Sequence, residues 1–165
     1  MDKTKILFVC LGNICRSPSA EAVMKGIVEK EGLSSNFEID SAGTAAWHEG
    51  EPADPRMQVH AQRRGYNLTS ISRPVVPDVD FDKFDYIIAM DEQNMRDLKR
   101  MAPDKQQQEK LFMMTDFSRK FSYRSVPDPY YGGDEGFELV LDLLDDACLG
   151  LLEKITDEQN SKERR

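Results

Sequence analysis

Val9-Cys10-Leu11-Gly12-Asn13-Ile14-Cys15-Arg16-Ser17-Pro18 is the stretch on which the reading of this chain turns. It follows an apolar run, Ile6-Leu7-Phe8-Val9, and precedes a helical pattern. A short apolar run bounded by turn residues reads as a buried strand. Pro18 suits the first turn of a helix, where its missing N–H is not needed. The order is therefore strand, tight loop, helix. Such a loop gathers unpaired N–H groups and the positive end of the helix dipole at one point, which makes an anion site.

Two side chains in the loop answer different chemical needs. Cys10 offers a nucleophilic thiolate, a form that a helix N-terminus and a nearby cation favour over the thiol. Arg16 offers a planar fork that holds two phosphate oxygens at once, which a lysine cannot do. Gly12 permits positive φ and close backbone approach. Asn13 tolerates the left-handed region better than most residues. Ser17 can give its hydroxyl proton to the thiolate. Read singly, Cys10 is better explained as a buried, inert cysteine at a strand end, with Arg16 on the surface; read with its neighbours, it is a nucleophile over an oxyanion cradle.

The string Cys10-Leu11-Gly12-Asn13-Ile14-Cys15-Arg16-Ser17-Pro18 resembles the signature of the low-molecular-weight protein tyrosine phosphatases. Asp40-Ser41-Ala42-Gly43-Thr44, Phe84 to Glu92, and Asp128-Pro129-Tyr130-Tyr131 match the same family in the same order. The resemblance covers nearly all of residues 4 to 155. It implies a single α/β domain with a four-stranded parallel sheet, helices on both faces, and the phosphate-binding loop between strand 1 and helix 1. It assigns Ser41 to bracing that loop through Asn13. One departure is visible. Relatives often carry a His before an Ala-Arg pair, where this chain has Thr69-Ser70-Ile71-Ser72-Arg73. Arg73 matches and the His does not, which puts the bracing network in question.

The whole chain fits that frame. Its 165 residues suffice for one well-buried core and are too few for two ordinary domains. We divide it into a catalytic domain, 1–160, and a charged, frayed tail, 161–165. Acidic residues outnumber basic ones by 30 to 22, a net charge of −8. That opposes nucleic acid as partner, which needs clustered Lys and Arg. No apolar run nears the roughly 18 residues of a membrane span, and the first is too short for a signal peptide. The three cysteines suggest no paired framework, in keeping with a reducing compartment. A monomeric, cytoplasmic enzyme without membrane contact is expected.

Ala20, Val23, Met24, Ile27 and Val28 form a helical stripe that ends near Gly32, and Phe37 to Gly43 reads as the second strand. Strand, helix, strand is a βαβ unit with a right-handed crossover. Ligands of such sheets sit beyond the C-terminal strand ends, so Cys10 and Ser41 share one rim. Trp47 lies in a polar loop beside His48, and is either an aromatic wall for a phenyl ring or a side chain folded onto the core. By resemblance this position shapes substrate choice. His48 reads as a solvated loop residue. Asp54 caps a helix through Gly65, and His60 within it reads as structural or exposed. Tyr66 to Val79 is expected to be irregular, Phe84 to Met90 a third strand, and Asp91 the cap of the next helix. Lys105 to Lys110 reads as a surface loop and Leu111 to Met114 as the fourth strand. From Asp134 runs a long helix whose apolar stripe is widened by Leu139, Leu143 and Leu149; Cys148 on it is a core residue.

Asp128-Pro129-Tyr130-Tyr131 is the second chemical site. Pro129 fixes its own φ and stiffens Asp128 in an extended conformation, as a general acid requires. A phenolate leaves poorly unless it is protonated. Asp128 can supply that proton and then act as base toward water. An ordinary turn is the alternative, and Asp80, Asp82 and Asp91 are competing carboxylates. Tyr130 flanks the substrate ring opposite Trp47, with Tyr131 beside it on the pocket wall.

The expected reaction is hydrolysis of phosphotyrosine in proteins. Cys10 becomes a phosphocysteine while Arg16 and the N–H groups of Leu11 to Arg16 hold the phosphoryl oxygens. No metal and no organic cofactor is called for. Cys15 is placed to form a disulfide with Cys10 on oxidation, unless it only fills the loop. Three other readings compete with this one. An arsenate reductase on this fold needs two further cysteines late in the chain, and only Cys148 follows. A zinc or binding module lacks the ligand spacing. A phosphoarginine phosphatase resembles this chain too, but such relatives tend to carry Thr where Ile14 stands.

Overall fold

The computed structural model describes residues 2–130 and 132–163. Tyr131 and Arg164-Arg165 lie outside the described residues. In chain order the elements are β1 (Thr4–Cys10), α1 (Arg16–Lys30), β2 (Phe37–Gly43), α2 (Pro55–Gln62), α3 (Pro77–Lys83), β3 (Tyr86–Ala89), α4 (Glu92–Met101), α5 (Lys105–Gln108), β4 (Leu111–Met113) and α6 (Asp134–Glu163). Short 3₁₀ turns cover Ser34–Asn36 and Met114–Phe117.

The four strands form one parallel sheet in the order β2-β1-β3-β4. Alternation along β1 explains the two-sided packing, since successive side chains point to opposite faces. Ile6 and Phe8 join α1 and α6 in one buried cluster. Leu7 and Val9 join Phe81 of α3 and Leu98 of α4 in another. Helices therefore cover both faces. Cys10 pairs with Gly43 at the ends of their strands, so β1 and β2 deliver the nucleophile and Ser41 to one rim.

Four local readings need correction. The segment expected to be irregular contains α3. Pro77 stands in its first turn, and the Asp80 carboxylate accepts the Val76 N–H at 2.8 Å. The polar stretch from Lys105 forms one helical turn, with Asp104 accepting from the Gln107 N–H. Leu149 is 44% exposed rather than buried. The last helix runs without a break through Glu163, into the charged tail. Elsewhere Asp54 and Asp91 cap α2 and α4. His60 is buried, stacked on Phe137 and bonded to Glu138 and Asp134 of α6. That is a structural tie between α2 and α6.

Candidate active site

Between Cys10 and Arg16 the chain makes one turn, with Asn13 in the left-handed region at φ 56°. Gly12 is not at positive φ; its value is close approach. A Cβ built there would lie 2.9 Å from Cδ2 of His48. The loop's carbonyls are drawn outward by donors around it. Cys10 O accepts from Thr44 N, Leu11 O from Ala45 N, Ile14 O from Asp54 N, and Cys15 O from Ser19 N. Gly12 O accepts from Ser72 Oγ at 2.9 Å. A trans peptide points its N–H opposite to its C=O, and no peptide described here is cis. The amides of Leu11, Gly12, Asn13, Cys15 and Arg16 are therefore turned away from those donors.

Asn13 organises the interior of the loop. Its Nδ2 donates to Ser17 Oγ at 2.8 Å and to Ser41 Oγ at 2.9 Å. Its Oδ1 accepts the Arg73 N–H at 3.0 Å. Ser41 donates in turn to the buried Glu21 at 2.7 Å. Ser17 Oγ lies 3.0 Å from Cys10 Sγ. Ser72 and Arg73 supply the bonds on that side of the loop.

Arg16 is 3% exposed, and three groups hold it. Nη1 donates to Asp91 Oδ2 at 2.7 Å and to Val126 O at 3.1 Å. Nη2 lies 3.5 Å from Asp128 Oδ2. Burial pulls the guanidinium's pKa down, but the charges of Cys10 and Asp91 outweigh it and raise it. Asp91 thus has a double task, since its other oxygen caps α4 through the Asn94 N–H. Asp80 is spent elsewhere, paired with Arg73. Burial pushes the Cys15 thiol up, and the charge of Asp54 adds to this.

Cys10, Arg16 and Asp128 line one cavity, together with Leu11, Gly12, Ile14 and Cys15. Trp47, His48 and Tyr130 form its rim. Trp47 is 73% exposed and does not fold onto the core. Tyr131, expected on the same wall, lies outside the described residues. His48 is more than a solvated loop residue. Its Nδ1 is bonded to Glu51 at 2.7 Å, and its ring sits 6.3 Å from that of Tyr130. Asp128 stands at the mouth, where Oδ1 accepts the Tyr130 N–H at 3.0 Å. Among the described residues, no three His, Cys, Asp or Glu side chains converge as a metal site.

Sequence reasoning missed Glu21, His48, Ser72 and Val126. Glu21 had a weak signal: it lies one helical turn after Ser17 on α1. The others meet the loop only through tertiary packing.

Comparison with known proteins agrees with this geometry. Residues 5–161 match the family model described as low molecular weight phosphotyrosine protein phosphatase. The chain is 41% identical over 150 residues to the low molecular weight phosphotyrosine protein phosphatase of Rattus norvegicus, covering 90% of this chain and 94% of the relative. A crystal structure of the protein tyrosine phosphatase of Entamoeba histolytica, with Hepes in its active site, superposes with a TM-score of 0.92 at 50% identity. It covers 95% of this chain and 99% of that one. A Drosophila arginine phosphatase is similar at 32% identity and a TM-score of 0.86, over 92% and 98% of the two chains.

Proposed function

The chain belongs to the low molecular weight phosphotyrosine protein phosphatase family, and from that premise we propose the residue roles of its reaction. The protein is a protein tyrosine phosphatase, a cysteine-dependent hydrolase of phosphotyrosine in proteins. Cys10 Sγ attacks phosphorus as the P–O bond to the tyrosyl oxygen breaks. Asp128 delivers its proton to that oxygen, so a neutral phenol leaves. Arg16 and the amides of residues 11 to 16 carry the charge that builds on the phosphoryl oxygens. Water then attacks the phosphocysteine, the Asp128 carboxylate takes a proton from it, and the S–P bond breaks. Phosphate leaves and the thiolate returns. Each proton released is taken up by a group already in the site.

The single observation that carries this assignment is the shared cavity of Cys10, Arg16 and Asp128. Asn13, Ser17 and Ser41 support the loop, and Trp47 and Tyr130 flank the ring. Ile14 supports tyrosine over phosphoarginine as substrate. A catalytic domain over residues 1–160, a monomer, and a cytoplasmic location belong to the same reading. Among the described residues, no helix is long and apolar enough to cross a membrane. Reversible closure of a Cys10–Cys15 disulfide under oxidation also belongs to it; both are free thiols here.

The test is hydrolysis of p-nitrophenyl phosphate in EDTA by the wild type, Cys10→Ser and Asp128→Ala. Activity that survives chelation and vanishes in Cys10→Ser is expected, and Asp128→Ala is expected to lower kcat, because the phosphocysteine then hydrolyses without its base. An inactive, fully reduced wild type overturns the assignment. Turnover of phosphoarginine peptides as fast as phosphotyrosine peptides overturns the substrate choice.

A further inference from the structure

Asp128 needs more support than its own loop provides. Residues 118 to 130 form no strand or α-helix, and the Asp128 side chain is 38% exposed. It accepts the Tyr130 N–H in a turn and approaches Arg16 at 3.5 Å. Asp146 tethers residues 119–121 and Met90 O and Arg16 tether Val126; nearer Asp128, two further contacts reach the loop from outside. Pro129 packs against the start of α6, where a Cβ on Gly136 would lie 3.6 Å from it. The second is Arg56.

Arg56 is an exposed side chain with an unusual number of tasks. Its Nη2 donates to Tyr130 O at 3.0 Å. Its guanidinium carbon lies 5.5 Å from the centroid of the Tyr130 ring and 4.9 Å from that of buried Phe137. Nε and Nη2 also bond both oxygens of Asp54, at 3.2 and 2.9 Å. Asp54 is buried, and its own N–H donates to Ile14 O at 2.8 Å. One continuous path therefore joins the anion loop to the acid loop: Ile14, Asp54, Arg56, Tyr130. An exposed ion pair adds little stability by itself. A planar fork bonded on two sides and stacked on two rings does fix direction.

We propose that Arg56 is a positioning residue of this phosphatase: it holds Tyr130, and with it Asp128, at a fixed height over the anion loop without touching substrate. The inference rests on the assignment of Asp128 as general acid. Proton transfer requires a heavy-atom separation of about 2.6–3.2 Å. A misplacement of about 1 Å can cost on the order of a hundredfold. Only steps that need the proton feel such a shift. A tyrosyl leaving group needs it strongly, whereas a nitrophenolate departs with little help.

The experiment compares kcat/KM for a phosphotyrosine peptide and for p-nitrophenyl phosphate in the wild type, Arg56→Gln, Asp128→Asn and the double variant. Arg56→Gln is expected to lose about tenfold or more on the peptide and less than about threefold on the nitrophenyl ester. In the Asp128→Asn background, Arg56→Gln is expected to change neither. Equal losses on both substrates, or a full loss that persists without Asp128, overturn the inference. Full peptide activity in Asp128→Asn instead overturns the acid assignment beneath it. Stabilisation of each variant against thermal unfolding by inorganic phosphate shows that the anion loop is intact. If Arg56→Gln fails this, Arg56→Lys takes its place. Arg56→Lys keeps the stem and charge but not the fork, and the same leaving-group split is expected.

Discussion

Ser17 Oγ lies 3.0 Å from Cys10 Sγ, and the groups behind that hydroxyl decide where its proton points. Glu21 accepts from Ser41, so the Ser41 oxygen is left to accept from Asn13. The Asn13 Oδ1 takes the Arg73 N–H, which fixes the amide so that Nδ2 faces Ser17. The Ser17 oxygen is then an acceptor toward Asn13, and its proton has two destinations. One is Ala42 O at 3.4 Å, the other the sulfur at 3.0 Å. A thiolate wins that contest on charge and distance. A buried carboxylate three links away thus sets the polarity of the bond to the nucleophile.

Removing that bond has a measurable cost. A hydrogen bond to a charged group contributes about 1.5–3 kcal/mol, so Ser17→Ala is expected to lower kcat/KM by about tenfold or more. Glu21→Gln keeps the shape but has one acceptor oxygen for two donors, the Ser41 hydroxyl and the Lys25 ammonium. It is expected to slow alkylation of Cys10 by iodoacetate and reduce turnover, by less than Ser17→Ala. Wild-type rates in Ser17→Ala would dismiss the argument.

Asp91 joins two structures with its two oxygens, so Asp91→Ala should do two kinds of damage. Loss of the α4 cap costs about 0.5–2 kcal/mol. Taking from the buried Arg16 the closer of its two carboxylates costs more, because a poorly compensated buried charge is expensive. Urea unfolding should register a combined loss of about 3 kcal/mol. Inorganic phosphate should stabilise the variant more than the wild type, since it offers Arg16 a new anion. A loss under about 1 kcal/mol would show that Asp91 is a bystander.

Two glycines at the site should respond differently to alanine. At Gly12 the added methyl meets the His48 ring, which can swing outward. At Gly43 it meets Leu11 O at 2.7 Å and Ala45 O at 2.9 Å, both backbone. Gly43→Ala must therefore deform the loop itself. We expect it to lose most activity and phosphate binding, while Gly12→Ala retains phosphate binding and shifts the NMR signals of His48. The reverse order would contradict the packing described.

Asp146 makes the protein's stability depend on acid. Its carboxylate accepts three N–H groups, from Lys120 at 3.0 Å, Arg119 at 2.9 Å and Phe121 at 3.4 Å. Burial pushes its pKa up, but these donors outweigh it and hold it below the usual carboxylate range. The unfolded chain therefore takes up this proton before the folded one does. The stabilisation is complete above the unfolded value and is lost as pH falls through the folded one. Chemical denaturation from about pH 5 to pH 3 should show stability falling, with a shallower slope in Asp146→Asn. The variant should also lose about 1–3 kcal/mol at neutral pH. Parallel slopes would exclude Asp146 as a source.

What the sequence disclosed followed from how local each signal is. The loop from Cys10 to Pro18 carries its strand, its turn and its helix start in ten consecutive residues, so its form could be read directly. The caps at Asp54 and Asp91 are equally local. The second use of each is not: Asp91 meets Arg16, and the Asp54 backbone meets Ile14, only after the sheet has assembled. His48 looked solvated because its loop is polar; its contact with Gly12 depends on how that loop folds back. The α3 helix is only seven residues long, and two prolines in its neighbourhood masked it. Leu149 repeats the apolar spacing of α6 yet is exposed, since a widened stripe on a helix needs a neighbour on that side.

Strand β2 is the outer strand of the sheet on one side, and an uncovered edge of this kind is a template on which another chain can add a strand. Here its final residue is already occupied. Gly43 N donates to Arg73 O, and Val75 N to Gly43 O, both at 2.8 Å. Along the rest of the strand, Asp40 is paired with Arg73 and Glu38 with Lys83. The segment that plugs the edge is the one that braces the catalytic loop through Ser72 and Arg73. Its displacement would open the edge and release the loop together. Loss of turnover and exposure of the edge are therefore expected to coincide, and slow heating should show turbidity rising at the temperature where turnover is lost.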